Sequence, residues 1–85
     1  MDLLAWIPYA SFVAKATVKE LFGRRVRALR LRRRLTQEGL AERADLHATY
    51  VGYVERGECN VTIKTVVAIA RALGVRGAAL LEGID

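Results

Sequence analysis

One cysteine, one proline, one histidine and one tryptophan are all that this 85-residue chain holds of four residue types that often mark a specialised chemistry. A lone Cys59 excludes an internal disulfide, and with His47 as the only other soft ligand a zinc site is out of reach, so no metal or other cofactor is expected. Cys59 reads as an inert loop thiol, no catalytic residue is assigned, and the setting is a reducing, cytoplasmic one. Long apolar runs are also missing. The opening stretch MDLLAWIPYASFVAKA places Asp2 where a leader would carry Lys or Arg, and Pro8 interrupts a run too short to span a bilayer. Neither a secretion leader nor a membrane partner is expected, and Trp6, Tyr9 and Phe12 read as a packing or dimerisation segment rather than a membrane foot.

Acidic residues are the minority: 9 Asp and Glu stand against 14 Lys and Arg, for a formal charge of +5. That balance calls for an anionic partner. Eleven of the fourteen cations are Arg, the side chain suited to forked phosphate contacts, and seven of them crowd between Arg24 and Arg34. A basic run of this kind can equally be the solvated side of a helix.

With 53% apolar residues and a length that suits one domain, the chain is rich enough in core formers to fold. No segment shows the period-2 alternation of a half-buried strand, and the chain reads as all-α with five helices. Phe22, Val26 and Leu29 recur at helical spacing and predict an amphipathic helix over 18–35. Thr36 caps a second helix with Leu40, Ala41 and Ala44 inward, and Gly39 in its first turn makes it locally weak. Asp45 suits a left-handed turn. A third helix is expected over 48–55, with Val51 and Val54 inward and Arg56-Gly57 as its stop. Thr62 caps a fourth, with Ile63, Val66, Ile69, Ala70 and Leu73 inward and Gly74 after it, and a short fifth runs over 77–82.

Two short helices joined by a tight turn fit a helix-turn-helix, whose second helix must protrude to enter a major groove about 12 Å wide. An αα-hairpin inside an ordinary bundle needs the same apolar spacing. The outward positions of the third helix favour the first reading: His47, Thr49, Tyr50, Gly52 and Tyr53 are small or aromatic groups able to approach base edges, not the Glu and Lys of an idle surface.

These residues carry a resemblance. LFGRRVRALRLRRRLTQEGLAERADLHATYVGYVERGECNVTIKTVVAIARALGV resembles the helix-turn-helix domain of phage-repressor-type (XRE-like) regulators over about 55 residues, through TQ..LA, Y.ERG and T...V..IA.ALGV. Within that family, LHATYVGYVERGECNVTI is similar to the controller proteins of restriction–modification systems, small homodimers that regulate their own gene and the endonuclease gene. The chain departs from them at Ala48 and Cys59, where controllers commonly carry Arg, and an Arg at the first would read guanine.

The resemblance implies a compact repressor-like domain, taken here as 18–85, that binds a near-palindromic double-stranded operator as a homodimer; the apolar extension over 1–17 lies outside the resemblance and is expected to serve packing or dimerisation. It implies that Gln37 contacts a phosphate, Thr49 a base edge and Tyr50 the backbone or a flexible step, that Arg56 and Asn60 clamp phosphates, and that Ala48 makes apolar contact only. Arg30 and Glu55 correspond to a structural ion pair. His47 is either a phosphate contact or an idle polar residue. Leu80, Leu81 and Ile84 form a small apolar patch assigned to the dimer interface. The alternative is an antitoxin whose partner is a protein toxin and whose DNA binding is autoregulatory.

Overall fold

The computed structural model describes residues 16–84. They form five helices: α1 (Val18–Arg32), α2 (Gln37–Ala44), α3 (Ala48–Glu55), α4 (Ile63–Leu73) and α5 (Gly77–Leu81), with no strand among the described residues. The expectations placed on residues 1–15, including Trp6, Tyr9 and Phe12, lie outside the described residues.

Local chemistry sets most of the boundaries. Thr17 caps α1 in a capping box with Glu20: the Glu20 amide donates to Thr17 Oγ1 at 3.1 Å and the Thr17 amide donates to Glu20 Oε1 at 3.0 Å. The bond from the Thr17 amide holds the Glu20 carboxyl below its ordinary pKa. Its contribution to stability is therefore present above the unfolded pKa and is lost as pH falls through the lower folded one. Thr36 and Thr62 cap α2 and α4 by accepting from the amides of Gly39 and Thr65.

α1 stops at Arg32 rather than Leu35, because Arg34 turns left-handed at φ 56° and the Leu35 amide donates back to the Arg30 carbonyl at 3.1 Å. Asp45 closes α2 at φ 58°, ψ 47°, and the Leu46 amide donates to the Ala41 carbonyl at 2.8 Å. Three residues, Asp45 to His47, separate α2 from α3, the short connection that sets two helices at a steep angle.

The core lies where α1 and α2 pack on α3, with α4 closing it beneath α2 and α5 bridging α4 to α1. Val26, Leu40, Val51, Val54, Ile69, Leu73 and Leu80 are its fully enclosed large side chains, each contributing roughly 1.5–3 kcal/mol of hydrophobic stabilisation. Two expectations are corrected here. Ile63 is 84% exposed, not inward: at 100° per residue it falls on the flank of the stripe Val66, Ile69, Ala70, Leu73, and it sits in the first turn of α4. Leu80 is enclosed within the core, so it cannot belong to a dimer interface; of the patch read from the sequence, Leu81 is exposed and Ile84 half-buried.

Candidate nucleic-acid interface

α3 has one fixed face and one open face. The fixed face is held by a buried ion pair: Arg30 Nε donates to Glu55 Oε2 at 2.6 Å and its NH2 group to Glu55 Oε1 at 3.0 Å. Arg30 NH1 also donates to the Leu35 carbonyl at 2.9 Å, so the guanidinium spans α1, the turn before α2 and the end of α3. The bonds to Glu55 raise the Arg30 pKa, with burial acting against them. The ion pair is where the resemblance placed it.

Gln37, the first residue of α2, joins this network by donating from Nε2 to Glu55 Oε1 at 3.1 Å. Glu55, a carboxylate acceptor, orients the amide, so Oε1 and the second Nε2 proton remain for another partner. Arg30, Thr36, Gln37, Glu38, Ala48 and Thr49 line one open depression between the starts of α2 and α3. The structure thus brings together Gln37, Ala48 and Thr49; Thr36 and Glu38 share the same rim and were given no such part by the sequence reading.

His47 is the N-cap of α3 and makes no side-chain cap bond, unlike Thr17, Thr36 and Thr62 on their helices. The first-turn amides of α3 thus have no side-chain acceptor, and they sit at the positive end of the helix dipole. His47, Thr49 and Tyr53 are exposed, whereas Ala48 and Tyr50 are half-buried and rest on the core.

Gly52 corrects the sequence reading. It is buried, not an open position on the outer face: a Cβ there would lie 3.1 Å from Arg56 NH1 and 3.6 Å from Gln37 Oε1. The guanidinium of Arg56 covers it, with its Cζ 5.3 Å from the centre of the Tyr53 ring, and Arg56 Nε donates to Glu58 Oε2 at 2.9 Å. That bond raises the Arg56 pKa and lowers that of Glu58. Asn60 stands apart from this group, on an apolar groove with Val18 and Phe22.

Arg25 is the basic residue whose use the sequence did not disclose. Its NH1 and NH2 groups donate to the carbonyls of Ala79 at 3.0 Å and Glu82 at 2.8 Å, tying α1 to α5. Among the described residues there is no cluster of His, Cys, Asp and Glu able to hold a metal ion, and no helix long and apolar enough to cross a membrane.

Comparison with known proteins matches residues 21–82 to the helix-turn-helix domain profile. The chain is 42% identical over 66 residues to control protein C.BamHI of Bacillus amyloliquefaciens, covering 76% of this chain and 82% of that one. The crystal structure of the restriction–modification controller protein C.AhdI from Aeromonas hydrophila superposes with a TM-score of 0.71 at 41% identity, over 72% of this chain and 92% of the other. The controller protein C.Esp1396I, solved as a tetramer with its natural 35 base-pair operator, gives a TM-score of 0.73 at 28% identity, over 82% of this chain and 92% of its own.

Proposed function

We propose, from a chain that belongs to the helix-turn-helix family that includes the restriction–modification controller proteins, a cytoplasmic transcriptional regulator that reads a near-palindromic DNA operator as a homodimer. The observation that carries the reading is the asymmetry of α3. Its inner face is pinned through Glu55 while His47, Thr49 and Tyr53 stand open at its surface, next to the start of α2. The operator complex of C.Esp1396I supports an oligomer on DNA, and Leu81 with Ile84 supplies the dimer contact here.

Within this reading Gln37 gives its free amide proton to a phosphate while Glu55 holds the other, Thr49 meets a base edge and Tyr50 lies against the sugar-phosphate. Gly52 lets the Arg56 guanidinium lie flat on α3, from where its NH groups reach a phosphate. Asn60 and His47 are outlying phosphate contacts. Ala48, half-buried and without polar atoms on its side chain, offers a methyl group only.

Duplex binding measured against salt tests the whole: log affinity falls with log salt at about −0.9 per phosphate contacted. A salt-independent affinity, or none for any duplex in a random pool, overturns it. Thr49→Ala is expected to relax discrimination at one base pair, at the lower end of about 1–3 kcal/mol, whereas Arg56→Ala weakens specific and random duplexes alike. Equal losses from both variants on both duplexes would remove the roles assigned to them.

Glu58 competes with phosphate for Arg56. Its lowered pKa keeps it ionised through the neutral range, so the pair opens only as pH falls through that lowered value. Glu58→Gln is expected to raise affinity for any duplex by about two- to fivefold at neutral pH, read by a fluorescence-anisotropy titration.

A further inference from the structure

Beyond DNA binding, an apolar groove of about 240 Å³ lies between the start of α1, the loop after α3, the start of α4 and α5. Val18, Phe22, Val61, Ile63, Val66 and Leu81 line it. Six large hydrophobics are exposed among the described residues, and three of them, Val18 at 64%, Ile63 at 84% and Leu81 at 53%, converge on this groove. Contiguous exposed apolar surface of this kind is normally covered. A pocket of about 150 Å³ suffices to bind a benzene ring, so this one has room for an aromatic side chain.

We infer that the groove is the seat of this chain's own N-terminal segment, residues 1–15. That stretch carries Leu3, Leu4, Trp6, Ile7, Tyr9 and Phe12 with only Asp2 and Lys15 charged, the composition that fits an apolar groove. It joins the fold at Ala16 and Thr17, immediately before Val18, which itself lines the groove. The attachment point is therefore on the rim. A tether this short holds the segment at an effective concentration on the order of millimolar, an advantage that a second copy lacks. Leu81 stands between this groove and the outer side of α5, where Ala78 and Ala79 flank a second shallow surface, so a covered groove leaves that side for the dimer contact.

Trp6 is the only tryptophan in the chain, so its emission reports the position of the segment in the full-length protein. The expected result is a blue-shifted emission and weak acrylamide quenching that do not change on dilution through the monomer–dimer transition followed by sedimentation. Ile63→Glu and, independently, Val18→Glu are expected to move the emission to that of a water-exposed indole and to raise the quenching severalfold, with helicity and duplex affinity retained. Both positions are already exposed, and Glu at the first residue of a helix is favoured by the dipole. Leu31→Glu, exposed but away from the groove, leaves the emission unchanged. A water-exposed Trp6 in the parent chain overturns the inference, as does shielding that survives either groove variant. Shielding lost in step with dimer dissociation assigns the groove to a second copy and overturns it too.

Discussion

Glu55→Ala is expected to lower the free energy of unfolding by about 3–5 kcal/mol, read from urea denaturation, because it leaves Arg30 charged in a site where its side chain is only 10% exposed. The guanidinium cannot swing out to water cheaply, since its NH1 group is fastened to the Leu35 carbonyl. Gln37 loses its anchor in the same step, so duplex affinity falls beyond what the loss of folded protein explains. Arg30→Met combined with Glu55→Leu removes both charges and is expected to regain most of the stability, because two desolvated ions are exchanged for apolar packing. A cost below about 1 kcal/mol for Glu55→Ala is the behaviour of a solvated pair and contradicts the burial. The exposed pair Arg56–Glu58 is the contrast: with side chains 54% and 47% exposed, its place is in phosphate competition, not in holding the fold.

The second large effect is expected from Gly23→Ala. A Cβ on Gly23 would lie 2.3 Å from the Val54 carbonyl oxygen and 2.6 Å from that of Glu55, so α1 and α3 must part. Ala gains roughly 1 kcal/mol in helix propensity, yet pressure against two backbone carbonyls cannot be relieved by a side-chain rotation. The net loss is expected near the upper end of the 1–3 kcal/mol typical of overpacking, about 3 kcal/mol. Because α3 itself is displaced, sequence discrimination falls with stability. Gly77→Ala is the control: nothing lies within 4 Å of its added methyl, and its stability is expected to stay level or rise slightly, by urea denaturation.

Gly23 also marks where sequence reading stopped. The caps Thr36 and Thr62 and the turn at Asp45 were legible because each is decided within four residues by one side chain and its own backbone. The Arg30–Glu55 pair was legible through the resemblance, since two charges 25 residues apart announce nothing by spacing. Gly23 looks like a weak point in a helix until another helix passes over it. Gly52 and Leu80 read as surface for a related reason: periodicity gives a face but not what covers it, and here Arg56 covers the first while the core closes over the second. Ile63 failed the other way, an apolar residue at the right period with nothing above it among the described residues but the groove. The open part of the site, Thr49 and Tyr53 on α3, was legible because exposure is what a helix shows on the side opposite Val51 and Val54.

Leu80 and the Arg25 bonds to Ala79 and Glu82 have an outcome in time as well as space. α1 is the first described helix to be synthesised, yet one wall of its seat is made from α5, the last described helix. A chain synthesised only as far as α4 therefore holds an incomplete core, and the reading helix takes its final shape once α5 has followed. Removing residues 80–85, and with them Leu80 and the Glu82 carbonyl, is thus expected to silence the regulator entirely rather than weaken it in part.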